Sequence, residues 1–434
     1  MLRRALQRPP HYLGIHFLMI HLPPALKHRQ FTLIWIGLII SMTGTQMQQW
    51  ALFWHISRLS RDPIAVSIVG GVRFVAVLCF SLLAGLVADR YNRRTILFLT
   101  QSILLVSALV LGLLTYFGVI QLWHIYVVTA IQASATAFDL PARQSLVPNL
   151  VPRSDLPSAF SLQAIAFNTG AIAGPALSGV VIGYWGQEYA YLINAVSFLA
   201  VIFALAAMGA VSQQQSLARK GFKAALVDIR DGIRFIRSQP LILSSMILDF
   251  FATFFASANT LLPYFSQNVL HVGEVAYGWL AAAGSIGAVV VGLIISQFNA
   301  IRRQGQLLVG SVVIFGLSTI LFGLARLYGI VFFALVLTGA ADSVSTIIRN
   351  TIRNLNTPDS IRGRMTGVNQ IFFMGGPQIG EVEAGAAAQA FGVPFAIFSG
   401  GIGTILIVAL IAARWPMLLH YNGDEPNMAV APAD

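Results

Sequence analysis

The chain is 434 residues long, 10% charged and 56% hydrophobic, where soluble proteins average roughly 25% and 45–50%. That composition excludes an ordinary soluble protein and places the chain in a membrane. The net charge of +11 invites a nucleic-acid reading, but the positions of the charges argue against one.

Met1 to Gln30 carries early arginines, two Pro-Pro pairs and several histidines. It lacks the clean apolar core and small-residue cleavage site of a signal peptide, so it reads as a cytoplasmic arm, either amphipathic or an over-extended start. Apolar runs of about 20 residues follow, each able to cross ~30 Å of hydrocarbon as a helix. The first six are Phe31 to Trp54, Ala65 to Ala88, Thr95 to Phe117, Leu122 to Phe138, Ser158 to Tyr184 and Tyr189 to Val211. After a polar interruption come Leu241 to Phe265, Tyr277 to Phe298, Leu307 to Leu324, Ile330 to Ile348, Met365 to Gln389 and Pro394 to Met417. The expected architecture is therefore all-α, with twelve membrane spans in two bundles (residues 31–211 and 241–417) and a tail from 418.

The first span holds Thr45, Gln46 and Gln49, with Gln46 and Gln49 on one face; these uncharged groups suit either substrate binding or helix joining. Arg73 is the sole cation within a span. It balances an acid across a cavity, receives an anionic substrate or snorkels outward. Cys79, the single cysteine, has no disulfide partner and reads as a small packed residue. The second span ends at Gly85 to Arg94, GLVADRYNRR, where dense charge marks the membrane boundary. Gln132 in the fourth span, and Gln163 and Asn168 in the fifth, are weaker candidates for the cavity wall.

Of the 27 Lys and Arg residues, all but Arg58, Arg61, Arg73 and Arg326 fall in segments on the side shared by both termini. The positive-inside rule makes that side cytoplasmic, and the basic surface should face anionic lipid headgroups. The interruption Ser212 to Pro240 mixes six Lys and Arg with Phe222, Leu226, Ile229, Ile233 and Phe235 at helical spacing. It reads as an amphipathic helix along the inner membrane surface, too short for a domain of its own.

The two halves echo one another. GLIIS at Gly292 to Ser296, with Arg302 and Arg303, matches GLVAD at Gly85 to Asp89, with Arg93 and Arg94. NLVPRSDLPSAFSLQ from Asn149 likewise resembles NLNTPDSIRGRMTGVNQ from Asn354. Six-plus-six symmetry of this kind marks alternating-access transporters.

These residues resemble the major facilitator superfamily over nearly all of Phe31 to Met417. GLVADRYNRR is similar to that superfamily's loop between its second and third helices, with Asn92 where a glycine is usual; Asn tolerates the left-handed conformation expected there. GAIAGPALSG, from Gly170 through Gly174 and Pro175 to Gly179, resembles the fifth-helix motif of drug/proton antiporters, with Ser178 replacing one glycine. Small residues permit close helix approach, and Pro175 removes a backbone donor. Asp139 to Val147, Pro152 to Phe160 and Thr357 to Arg364 point to the enterobactin-exporter-like branch. The resemblance implies proton-driven export of small amphipathic molecules, with no cofactor beyond the proton gradient. It also implies a latch at Gly85, Asp89, Arg90, Arg93 and Arg94, with Arg364 or Arg143 as partner of Asp89. Many such antiporters carry an arginine in the fourth helix, and Leu122 to Phe138 has none.

Ionisable groups in hydrocarbon are costly and usually functional. Of 16 Asp and Glu residues, Asp249, Asp342, Glu381 and Glu383 lie within the spans. Asp249, roughly 12 Å into the seventh span, is favoured as proton carrier, with a structural hydrogen-bonding role as the alternative. Glu381 and Glu383 are about 200° apart around a helix, so one faces a cavity and the other does not; Glu381 is preferred. Asp342 stands within two turns of Arg349, where a gate or packing role competes with coupling.

No G-x-x-x-x-G-K run, G-x-S-x-G or H-E-x-x-H occurs, which argues against ATP use and against an enzyme. A multi-pass cell-membrane protein with both termini cytoplasmic is expected, working as a monomer on a small-molecule substrate, with lipid contacts and no nucleic-acid partner. A non-transporting receptor, an embedded enzyme, an importer and a lipid flippase remain as alternatives.

Overall fold

The structure is a computed structural model that describes residues 23–209, 222–298 and 301–423. The first bundle comprises α1 (Arg29–Leu59), α2 (Pro63–Arg90), α3 (Arg93–Tyr116), α4 (Leu122–Leu146), α5 (Leu156–Tyr184) and α6 (Gln187–Ala207). A linking helix, α7 (Phe222–Ser238), precedes the second bundle. That bundle contains α8 (Pro240–Phe255), α9 (Leu262–Asn268), α10 (Glu274–Ile295), α11 (Gln304–Leu324), α12 (Tyr328–Leu355), α13 (Asp359–Phe391) and α14 (Val393–Arg414), and α15 (Pro416–His420) closes the described chain. The expected twelve-span, two-bundle architecture holds, with α8 and α9 together forming the seventh span.

Nine spans among the described residues are long and apolar enough to cross a membrane on composition alone. The other three, α1, α4 and α13, carry enough polar side chains to fall short. Thr45, Gln49, Gln132, Gln378 and Glu381 among those side chains line the cavity described below.

The seventh span is broken, contrary to the continuous run expected. Helix α8 ends at Phe255 and α9 begins at Leu262, with a 3₁₀ turn over Asn259–Leu261. Pro263 lacks the N–H that would bond the Asn259 carbonyl, and its ring would strike that carbonyl, so one helix cannot pass through. The fourth span runs in the other direction, eight residues past its expected end at Phe138, because α4 is helical to Leu146 through Pro141.

The repeat seen faintly in sequence is explicit in the packing. Helix α1 packs on α5 and α6, α2 on α4, and α3 on α4 and α6; in the second bundle α8 packs on α13 and α14, α10 on α12, and α11 on α12 and α14. Each pair in one half has its counterpart in the other. The turns correspond too: Gly186 after α5 and Gly392 after α13 have φ of 108° and 91°, which side chains with a Cβ rarely adopt.

The bundles meet along two seams, α5 against α10 and α2 against α13. These equivalents exchange under the pseudo-two-fold axis. The GAIAGPALSG motif serves both kinds of packing: a Cβ on Gly170 or Gly174 would meet Met42 or Gln46 in α1, whereas Gly179 abuts Gly278 in α10.

Loops rich in arginine share one end of the molecule with α7, here termed the basic end. The opposite, far end is closed by contacts between bundles. The Tyr264 hydroxyl lies 2.9 Å from the Ser60 and Asp62 carbonyls, Gln267 donates to Ser57 at 2.8 Å, and the Tyr277 hydroxyl donates to the Trp50 carbonyl at 3.0 Å. The rings of Trp54 and Tyr277 lie within this seal with centroids 4.9 Å apart, tilted by 38°.

Helix α7 does not turn its whole apolar face to the membrane as expected. Ile236 and Ile229 pack with Met246 of α8 and with Met365 and Val368 of α13. Gly232 lets α7 approach the Arg364 carbonyl. Burying apolar area against protein replaces the interfacial position read from the amphipathic pattern.

Cys79 is exposed, so it is not the packed residue expected.

Candidate functional site

A cavity of about 400 Å³ lies between the closed far end and the basic end. Its walls come chiefly from α1, α2, α3 and α4, with α13 contributing Met374, Gln378 and Glu381. Lining residues run from Leu52, near the seal, to Asp139 and Arg143 at the basic end, so the cavity faces the basic end.

Thr45, Gln49, Arg73 and Gln132 all line it, as the sequence suggests. Gln46, Gln163 and Asn168 do not. The Gln46 stem packs against Gly174, filling the space that a side chain there would occupy. Gln163 sits in a separate narrow crevice with Ile34, Leu38 and Leu97. Asn168 is exposed on α5 and absent from the lining.

Arg73 of the first bundle and Glu381 of the second both line this cavity, and the Glu381 carboxylate lies against Gly70, one turn of α2 from Arg73. The Arg73 guanidinium also lies 5.6 Å from the centre of the Phe53 ring, an arrangement that favours the cation. Glu381 reaches this position because it passes over Gly70, where any Cβ would collide with its carboxylate. Glu383 lies on another side of α13 and is absent from the lining, as the angular offset requires.

Reading the fourth span as ending at Phe138 hides an acid. Asp139 is 5% exposed, accepts from Thr100 at 3.0 Å and Gln101 at 2.7 Å, and pairs with Arg143 at 2.5 Å. Arg143 lies in the same helix, beyond Leu122 to Phe138, and on the cavity wall.

Gln48, beside Gln49 on α1, also lines the cavity. It donates to Gln132 at 3.1 Å and accepts from Asn194 at 2.7 Å, tying α1, α4 and α6 together within the wall. Gln132 Nε2, Gln101 Oε1, Thr129 Oγ1, Gln378 Oε1 and Glu381 Oε2 are buried without a hydrogen-bond partner among the described residues. Such groups are costly to leave unmatched. The wall thus offers both donors and acceptors to a polar guest.

Asp249 is not in this cavity. It is 2% exposed and lies 2.9 Å from the equally buried Arg349. Asp342, its side chain 48% exposed, stands 3.7 Å from the same guanidinium. Arg353 extends the group through Asn350 at 2.5 Å and through Asn369 of α13.

At the basic end, Asn92 has φ −63° and accepts from the Arg94 N–H as the N-cap of α3. The left-handed turn expected there is not used; a capping side chain serves instead. Arg93 donates to the Ser145 carbonyl at 2.7 Å and Arg94 to the Leu205 carbonyl at 2.7 Å. The side chains of Asp89 and Arg90 lie outside the described ones. Arg364, the expected partner of Asp89, is held by α7, 2.7 Å from Asp228 and 3.0 Å from Asp231.

The profile of the family described as transmembrane secretion effector, within the major facilitator superfamily, matches residues 22–428. An uncharacterized MFS-type transporter of Bacillus subtilis (strain 168), YfiS, is 26% identical over 85% of this chain and 89% of its own length. The enterobactin exporter EntS of Escherichia coli (strain K12) is 22% identical over 93% of this chain and 96% of its own. Among solved structures, a bacterial homolog of the human lysosomal transporter Spinster, in an inward-facing occupied conformation, superposes with a TM-score of 0.71 at 14% identity. It covers 91% of this chain and 97% of that one, a likeness in fold.

Proposed function

The chain belongs to the transmembrane secretion effector family of the major facilitator superfamily, and from that premise we propose that it exports small amphipathic molecules in exchange for protons. That it is a multi-pass membrane transporter and not an enzyme follows from the family. The direction, the coupling and the substrate class are our reading. It places the basic end and both termini in the cytoplasm, with a monomer as the working unit and the proton gradient in place of any cofactor.

The observation that carries the reading is that Glu381 of α13 and Arg73 of α2, opposite charges from the two bundles, line one cavity beside the seam at Gly70. Exchange requires one group that a proton and a substrate cannot both occupy. A carboxylate paired with an arginine meets the requirement: a proton on Glu381 removes the attraction, and a polar substrate bridging Arg73 and Gln378 displaces it. With neither bound, the charged pair joins α2 to α13 and opposes movement of an empty cavity. The exporter named among the relatives supports outward transport. The Asp249–Arg349–Asp342 group is a second place for a proton, favoured by the exposed Asp342 side chain lying beside a buried ion pair. The Gly85–Arg94 loop fits a latch that joins the bundles at the basic end once the far end opens.

The test is transport in proteoliposomes with an imposed pH gradient, using a substrate found by screening compounds in a strain lacking its own efflux pumps. Glu381→Gln should abolish gradient-driven movement, a loss of tenfold or more, while leaving substrate-for-substrate exchange intact. Gradient-driven transport at the wild-type rate in Glu381→Gln would overturn this assignment.

A further inference from the structure

Helix α7 has two unlike faces. Asp228 and Asp231 hold Arg364 on one side, where Ile229, Gly232 and Ile236 close on α8 and α13. The other side carries Arg230, Arg234 and Arg237 around Ile233, all exposed, along an open groove of about 370 Å³ with no acid in its wall. None of these three arginines has an ion-pair partner among the described residues.

The spacing of 230, 234 and 237 puts the guanidinium groups on one stripe, about 10 Å from first to last. Arg237 stands within one turn of Pro240, where the seventh span begins. The groove therefore opens beside the membrane surface at the basic end. Guanidinium groups bind phosphate through paired N–H donors, and Ile233 between them offers an apolar contact that a free ion would not use.

We propose that this groove binds the headgroup of an anionic phospholipid from the leaflet at the basic end. The site is fixed, because the opposite face of α7 is clamped to α13 through Arg364. It is also distinct from the transport cavity, and the inference stands whether or not transport is proton-coupled. Each arginine held at an anionic surface contributes roughly a fivefold preference, so three together should select an anionic over a zwitterionic lipid by on the order of a hundredfold at low salt.

The test is native mass spectrometry of the detergent-purified full chain, titrated with phosphatidylglycerol against phosphatidylcholine. The wild type should retain phosphatidylglycerol preferentially, and Arg230→Gln/Arg234→Gln/Arg237→Gln should lose most of that preference. A variant matched in charge, Arg153→Gln/Arg302→Gln/Arg303→Gln, should keep it. Equal loss in both variants would mean that bulk charge alone acts, and would overturn the site. So would a wild type with no preference, a reading that needs no variant to fold. If inorganic phosphate displaces the lipid at matched concentration, the groove takes a soluble anion and the lipid assignment fails.

Discussion

Gly179 of α5 and Gly278 of α10 face each other across the seam between the bundles, and a Cβ on Gly278 would come within 2.8 Å of the Gly179 backbone. The two helices touch there through backbone alone. Small residues are what allow helices in lipid, which lack a hydrophobic drive to associate, to gain contact area.

Gly278→Leu should therefore force α5 and α10 apart. Overpacking costs typically about 1–3 kcal/mol, and here the strain falls on the far-end-closed state. The population should move toward a far-end-open form, read as a longer distance between spin labels placed across the far end in a Cys79→Ser background. An unchanged distance distribution would contradict the seam.

Arg349 and Asp249 form a buried pair, and removing one partner strands the other. Arg349→Met alone should destabilise the second bundle by about 3–5 kcal/mol, whereas Arg349→Met/Asp249→Leu should recover much of the loss. Thermal unfolding in detergent measures both. A double variant no better than the single would show that Asp249 has other essential partners.

Arg364, 40% exposed at its side chain, is held by Asp228 and Asp231. Pairs this open contribute about 0–1 kcal/mol, so Arg364→Ala should leave the melting temperature nearly unchanged. Hydrogen exchange over residues 222–238 should still accelerate several-fold as α7 loosens. Unaltered exchange would mean that the apolar contacts of Ile229 and Ile236 suffice alone.

Gln48 bridges Gln132 and Asn194 within the cavity wall. Gln48→Leu would leave two buried amides short of partners, a cost of about 1–3 kcal/mol each, and would free Gln132 to move. Substrate affinity in a binding assay should fall about tenfold, with Gln48→Glu a poorer substitute than Gln48→Asn. Wild-type affinity in Gln48→Leu would remove this residue from the site's support.

Hydrophobic run length located every span, because lipid leaves a helix no alternative way to satisfy its backbone. It located span ends poorly where the helix carries on through polar residues into the cavity mouth. Asp139 and Arg143 escape run length for that reason: α4 continues past Phe138 with both residues on the cavity wall. Gln46 and Gln49 share a face in sequence, yet the close approach of α5 at Gly174 turns Gln46 into packing. The partners of Arg349 and Arg364 come from helices distant in the chain, and no local pattern discloses them. The paired turns at Gly186 and Gly392 were visible as glycines but not as related ones.

The two seams, α5 with α10 and α2 with α13, are interchanged by the pseudo-two-fold axis. A body held at two separate places keeps one easy degree of freedom, rotation about the line that joins them. Sliding or twisting would drag the Gly179 and Gly278 backbones across one another at one place and drive Gly70 and Gly385 against Glu381 and Ser67 at the other. The chain thus restricts its own motion by the placing of its smallest residues: one angle opens one mouth as it shuts the other, and two mouths open together lie off that path.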